Sequence, residues 1–264
     1  MTEKRLRIYP YNSKSMSANK IRNSIQGALK IKRNTDFVPD ARHVILNWGC
    51  SKVPEWPSQG AAAVLNHPNH VAATRNKITC YGILSAHDVP TMQWTADLDQ
   101  AKEWADGTGV VFYQTPIAYG GMGIQYIKGS SSDAWDDLDI GEFSYFTKYI
   151  PNKEEYRIHV FLGEVIDFAR KRRKKSIPDE KIDWKIRSHK RGWIFARQEE
   201  TLPPGAADVA KKALDVCSLH FGAVDLLNAD GNLHVVEINT APGLRGQTTT
   251  DSYVEAITEF MESL

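Results

Sequence analysis

The residues best suited to chemistry stand close together in Phe221 to Gly246, FGAVDLLNADGNLHVVEINTAPGLRG. Asp225, Glu237 and Asn239 bring two carboxylates and an amide oxygen, and a hairpin would gather them. Ala229-Asp230-Gly231 suits a three-residue loop with Gly231 in the left-handed bulge position. That loop pairs Asn228 with Asn232 and Asp225 with Val235. Opposed residues share a face and so do alternate ones, so Asp225, Glu237 and Asn239 point one way. Val224, Leu226, Val236 and Ile238 point the other way, into a core. A two-residue loop would slip the register by one and turn every side chain over. Gathered on one face, the three groups make a hard, oxygen-rich site. A divalent cation, Mg²⁺ or Mn²⁺, relieves their repulsion, keeping waters and taking phosphate oxygens as further ligands. The pattern equally fits a solvated strand face that carries acids by chance.

Arg170 to Lys175 is an unbroken cationic run. Strand alternation places Lys171 and Arg173 on one face. Such a run suits phosphate, an acidic substrate or nucleic acid, and equally a solvated edge that discourages strand aggregation. The histidines show no HExxH or paired ligand spacing, and no Ser or Cys triad is recognisable. Cys50, Cys80 and Cys217 lie outside any CxxC pattern, so neither zinc nor a disulfide framework is indicated.

These residues need elements to hold them. Leu6 to Tyr9 and His43 to Trp48 read as strands, and Ser15 to Gln26 as a helix closed by Gly27. Together they suggest a small βαβ-like unit over about residues 1–68. One helix is expected from His70 to Ala86, with Val71, Ile78, Ile83 and Leu84 on one face. Thr95 would cap another over Ala96 to Ala105. Val110 to Tyr113 and Ile124 to Ile127 read as strands around a glycine-rich loop. Tyr156 to Phe161 and Val165 to Phe168 flank a hairpin signal. A strand over Gly192 to Ala196, a helix over Ala206 to His220, the hairpin from Ala223 to Thr240 and a helix from about Asp251 complete the pattern. This is a mixed α/β (α+β) chain.

The 264 residues carry a net charge of +1 and are 42% hydrophobic. That balance argues against a globally cationic nucleic-acid coat or an acidic tail protein. No run approaches the ~18 apolar residues that a membrane span needs. Met1 to Arg7 is polar and basic with no apolar stretch behind it, unlike a signal peptide. A reducing cytoplasm is the expected setting.

The final hairpin resembles that of the ATP-grasp superfamily, which typically reads D-hydrophobic …E-x-N…P-G and stands here as Asp225, Glu237, Asn239, Pro242 and Gly243. YPYNSKSMSANKI from Tyr9, LNWG at Leu46 to Gly49 and YFTKYIPNKEEYRIHVFLGEVID from Tyr145 extend the likeness to the whole chain. They look most like phage-encoded, RimK-type members. The resemblance implies a pre-ATP-grasp unit over residues 1–68 and an ATP-grasp unit over 69–264, with a lid at about 90–145 and a catalytic part at about 146–264.

The resemblance also implies roles. Lys77 would contact nucleotide phosphates. Ala118 to Ile124, AYGGMGI, looks like the glycine-rich lid, with Gly120, Gly121 and Gly123 letting backbone N–H groups approach phosphate oxygens. The main chain of Lys148, Tyr149 and Ile150 would pair with the adenine edge. Arg157 resembles the substrate-side arginine, and Arg187, ahead of Arg191, the arginine beside the reacting acyl phosphate. Arg245 is a further acceptor-side candidate. One departure stands out: the strand before the lid usually carries a Lys or Arg, and here it reads Tyr113-Gln114-Thr115. A cation about 4 Å from a phosphate is worth about 4 kcal/mol at an effective dielectric of 20. Lys171 and Arg173 are the candidates to replace it.

The implied activity is an ATP- and Mg²⁺-dependent carboxylate–amine ligase. It would act on amino-acid, peptide or protein substrates through an acyl phosphate. An ATP-grasp kinase, a ligase that decorates phage DNA through Arg170 to Lys175, and a non-catalytic nucleotide- or nucleic-acid-binding module remain the alternatives.

Overall fold

The computed structural model describes residues 3–32, 36–54, 60–117, 123–151, 154–197 and 201–264. The elements run in three groups, each around a sheet. The first holds β1 (Arg5–Pro10), α1 (Met16–Ser24), β2 (Leu29–Lys30), β3 (His43–Trp48) and β4 (Ala63–Leu65), a parallel sheet in the order β2-β1-β3-β4. Next come α2 (Pro68–Arg75), α3 (Lys77–Ala86), β5 (Trp94–Thr95), α4 (Leu98–Asp106), β6 (Val110–Tyr113), β7 (Ile124–Ile127) and β8 (Tyr145–Lys148). Their strands form an antiparallel sheet ordered β5-β8-β6-β7. The last group comprises β9 (Glu154–Phe161), β10 (Glu164–Arg173), β11 (Trp193–Ala196), α5 (Ala206–Val216), β12 (Phe221–Ala229), β13 (Asn232–Asn239) and α6 (Gln247–Glu262). Its sheet is antiparallel and ordered β11-β10-β9-β12-β13. No helix among the described residues is long and apolar enough to cross a membrane.

Burial explains the layering. One face of the β9–β13 sheet packs Ile158, Val160, Val224, Leu226, Val235 and Ile238 against Ala210, Ala213 and Leu214 of α5 and against Val71, Cys80 and Leu84 of α2 and α3. The other face of this sheet is polar at Glu155, Arg157, Asp225 and Glu237 and apolar at Phe161 and Phe221. In the first sheet, Leu6, Ile8, Val44, Leu46 and Trp48 pack with Ile21 of α1 and also with Phe221, Tyr253 and Ile257. Trp48 stacks on Phe221 with centroids 5.3 Å apart. In the middle sheet, Val110, Phe112 and Phe146 cover α4, while Val111, Tyr113 and Tyr145 pack towards Tyr81 and Met92.

Several elements differ from the sequence reading. The helix expected over His70 to Ala86 is two helices. Asn76, with ψ 108, leaves the helical region, and its Oδ1 accepts the Thr79 N–H at 3.1 Å. An Asn side chain competes with the backbone for helical donors, so it ends α2 and caps α3. Lys77 thereby becomes the first residue of a helix. Asp97, not Thr95, caps α4, accepting from the Gln100 N–H at 2.8 Å. The final helix begins at Gln247, ahead of Asp251.

The final hairpin departs most instructively. Ala229 pairs with Asn232, so the loop is the two residues Asp230 and Gly231, both at positive φ (52 and 94). That is the one-residue slip that would turn Asp225 away from Glu237. A β-bulge cancels it: Leu226 pairs with Val235 and Asp225 with Glu237, which leaves Val236 as the extra residue. Val235 enters the core in place of Val236, which turns to the polar face. The expected gathering of the two acids survives by a different route.

Gly49 ends β3 with φ +73, and a Cβ there would lie 2.6 Å from the Ala241 Cβ. Gly49→Ala should therefore cost about 1–3 kcal/mol, from positive φ and from the clash together. A lowered urea midpoint with an unchanged slope would register it.

Candidate functional site

Alternation along four adjacent strands builds one charged surface. Glu155, Arg157 and His159 of β9 project beside Ala169 and Lys171 of β10, Asp225 and Leu227 of β12, and Glu237 and Asn239 of β13. Above them lies a cavity of about 720 Å³.

At its centre, Arg157 Nε and Nη2 donate to the two carboxylate oxygens of Asp225, each at 2.7 Å. The fork is bidentate, and the Phe195 ring lies 4.3 Å from the guanidinium carbon. Burial alone would raise the Asp225 carboxyl pKa; Arg157 outweighs it and holds the value below the ordinary one. On one flank the Lys171 ammonium bonds the Glu155 carboxylate and donates to the Arg187 carbonyl at 2.8 Å. Glu155 is buried, and burial raises its pKa despite Lys171. On the other flank Lys77 Nζ donates to Glu237 Oε2 at 3.1 Å and lies 5.4 Å from the Tyr113 ring centre. Burial of Lys77 opposes its charge, but Glu237 leads the interactions that raise its pKa overall. Asn239 Nδ2 reaches Glu237 Oε1 at 3.3 Å.

One end of the cavity is apolar, lined by Met92, Val111, Tyr149, Ile150, Leu227 and Val236. The main chain at the expected hinge, Lys148 to Ile150, is partly bonded within the protein. Tyr149 uses its N–H on the Gly109 carbonyl (2.9 Å) and its own carbonyl on Thr108 Oγ1 (2.7 Å), and the Lys148 N–H goes to Gln93. These bonds tie the hinge to the β5–β8 sheet. The Lys148 side chain does not line the cavity.

The structure brings together most of the residues singled out from the sequence: Lys77, Arg157, Lys171, Arg187, Asp225, Glu237, Asn239 and Arg245 all line this cavity. Arg173 does not. It shares a strand face with Lys171, but β10 runs on past the cavity wall, and Arg173 pairs with Asp179 at 2.9 Å near the surface. Gly120 and Gly121 lie outside the described residues. Gly123 has φ +65, and its carbonyl accepts the Gln114 N–H at 3.1 Å. Gln114, on the strand expected to carry a cation, turns its amide to Asp139 at 2.6 Å. Arg191 is tied to Asp183 and to the Ile124 carbonyl, whereas Arg187 lies over the Trp193 ring at 4.7 Å and faces the cavity.

Among the described residues, half of the cationic run is paired with carboxylates within the protein. Arg170 pairs with Glu154 at 2.8 Å, Lys171 with Glu155 and Arg173 with Asp179, and Lys174 bonds the His189 carbonyl.

Three cavity groups escape the sequence reading. Lys185 Nζ lies 5.1 and 5.0 Å from the ring centres of Tyr126 and Tyr149, a cation at the rim of the apolar end. Its segment is irregular, held by Asp183 Oδ1 accepting the N–H groups of Lys185 and Ile186, and carries no periodic signal. Arg197 grips Asp167 at 2.9 Å and bonds Thr249 at the start of α6. His159 lies 3.2 Å from the Tyr253 hydroxyl, and burial, with Arg157 next, lowers its pKa to about 4. Only the strand position of His159 is readable from alternation.

Lysines and arginines outnumber carboxylates along the lining, which suits a polyanion. Among the described residues no three His, Cys, Asp or Glu side chains cluster closely enough to hold a metal unaided. Asp225, Glu237 and Asn239 supply hard oxygen donors that fit Mg²⁺ once phosphate oxygens and waters complete the shell.

No protein-family model matches the chain, and no curated protein does. Solved structures do. The ATP-grasp ligase PsnB complexed with minimal precursor, Mg and ADP is 12% identical, with 99% of each chain covered and a TM-score of 0.67. The macrocyclase MdnC bound with precursor peptide MdnA from Microcystis aeruginosa MRC is 14% identical over 98% of this chain and 99% of that one, with a TM-score of 0.66. A D-alanine–D-alanine ligase from Bacillus anthracis complexed with ATP is 13% identical over 100% and 99%, with a TM-score of 0.65. The chain therefore has the ATP-grasp fold.

Removing one partner of a buried pair strands the other. Arg157→Met should destabilise the protein by about 3–5 kcal/mol, and adding Asp225→Leu should restore much of the loss. Urea unfolding of the two variants and the wild type provides the comparison.

Proposed function

We propose that this chain is an ATP-dependent carboxylate–amine ligase, RimK-type and phage-encoded, working in the cytoplasm on an amino-acid, peptide or protein substrate. The observation that carries the reading is one wall: Asp225, Glu237 and Asn239 in a row, Lys77 beside them, and an apolar slot at the far end of the same cavity. The division into residues 1–68 and 69–264, with a lid at about 90–145, belongs to the same proposal.

Met92, Val111, Ile150 and Leu227 would enclose the base, leaving the phosphates to run towards Lys77. Asp225, Glu237 and Asn239 would hold Mg²⁺, which supplies charge neutralisation across the phosphates when bound. Lys77 and Lys185 add cationic charge, and Lys185 replaces the cation missing from the strand before the lid. The substrate carboxylate attacks the terminal phosphorus, forming an acyl phosphate and releasing ADP. An amine then attacks the acyl carbon; the C–N bond forms, the C–O bond to phosphate breaks, and the amine gives up its proton. Arg187 and Arg157 would stabilise the oxyanions of these steps through planar, fixed donors. Walls of this kind exclude water that would otherwise hydrolyse the acyl phosphate.

Release of ADP and phosphate from ATP with Mg²⁺ and pooled amino acids tests the reading. Release in the wild type that depends on the added pool, and falls about a hundredfold or more in Glu237→Ala, is the expected result. Release indifferent to both would defeat it.

A further inference from the structure

A second, smaller cavity of about 140 Å³ adjoins the first. The two share Lys77, Val236, Glu237 and Asn239 as lining. Part of the remaining wall of the small cavity comes from segments that the large one does not touch. Tyr11 follows β1, Gly49 follows β3, Arg75 closes α2, and Ala241 follows β13. Arg75 is anchored there, its Nη1 donating to Ser51 Oγ at 2.7 Å.

An ATP-dependent ligase must bring three molecules to one wall. The nucleotide needs the large cavity, with its apolar slot and its phosphate-facing cations. The activated carboxylate must then reach the terminal phosphate at Lys77, Glu237 and Asn239. The small cavity has that wall as one side and adds the guanidinium of Arg75, whose fork suits a carboxylate. Tyr11, Tyr81, Ile117 and Ala241 make the rest of its lining largely apolar or aromatic. A cavity of about 150 Å³ holds a molecule the size of benzene, about six heavy atoms.

We infer that the small cavity seats the carboxylate that is activated, and that this substrate is a short acid with the bulk of glycine, alanine or serine. The amine partner enters at the other end of the large cavity, beside Arg197, Arg245 and Gly246, where the lining sets no comparable size limit. The enzyme thus attaches a small acyl group to the amine of a larger molecule. This inference rests on the ligase reading and adds the size and the seat of the donor.

The test uses the full chain with Mg·ATP. ADP release is followed with glycine, alanine and serine, and with glutamate, phenylalanine and a peptide offering only its C-terminal carboxylate. Short acids should drive release with the lowest KM. Ala241→Leu, which narrows only the small cavity, should raise that KM about ten- to hundredfold, the range over which a misplaced methylene acts in an apolar pocket. Arg75→Met should raise it as well. Calorimetry should find Mg·ATP affinity within twofold of wild type in both variants, which also reports that they fold. Release driven as well by the bulky acids, or a KM for short acids unmoved in both variants, overturns the donor seat and leaves the ligase reading standing. Mg·ATP binding with no Glu237-dependent release from any acid, even with hydroxylamine present to take up an acyl phosphate, overturns both.

Discussion

A guanidinium locked to a carboxylate at the middle of an open sheet face fixes where everything else can go. Arg157 and Asp225 stand opposite each other on β9 and β12 and exchange two short bonds. Taking such a pair out of water costs several kcal/mol per ion before their attraction returns any of it. The cost is tolerable because neighbouring rows are paired too, Lys171 with Glu155 and Lys77 with Glu237. Asp225 and Glu237 stand opposite each other on this face, and each carries its own cation, Arg157 and Lys77. In the proposed reaction, a polyanion arriving with a divalent cation would offer phosphates to the lysines and a metal to the acids. Each ion can then trade one partner for another without being stranded.

The apolar side of the sheet keeps that charged floor rigid. Val224, Leu226, Val235 and Ile238 are clamped against α5. The strand that carries Glu237 is held from outside as well, by the Tyr81 hydroxyl on the Val236 carbonyl (2.9 Å) and by Pro90 and Thr91 on Val235. Edge strands otherwise twist and fray, and these bonds use the groups that an edge leaves open. Irregular segments then bring Lys185, Arg187 and Arg197 to the cavity above that floor.

Much of this architecture is legible in the amino-acid order alone. His43 to Trp48, Val110 to Tyr113 and Ile124 to Ile127 are strands with the bounds expected, because short apolar runs between turn residues leave few alternatives. The acidic pair on the last hairpin is legible too, though with the wrong loop: a two-residue turn and a bulge are compensating irregularities, and side-chain types record only their sum. The break at Asn76 is hidden because apolar spacing continues across it from Val71 to Ile78. Alternation gives Arg173 its face but not the length of the cavity wall. Lys185 and Arg197 lie where the chain has no period, and their positions depend on contacts with distant segments such as Tyr126 and Thr249.

The packing of the first sheet bears on how the chain is made. Leu6, Ile8, Val44, Leu46 and Trp48 share their cluster with Phe221, Tyr253 and Ile257, and the Trp48 and Tyr253 rings meet edge to face at 5.4 Å. Roughly two hundred residues separate the two halves of that cluster, a delay on the order of 10–40 s at ribosomal rates. Throughout that interval an early-made apolar face has only α1 over it and lacks the cover that Phe221 and α6 bring. The nascent chain therefore offers a long window to chaperones, and gains its charged wall and the rest of the cover for its first sheet almost together, late in synthesis.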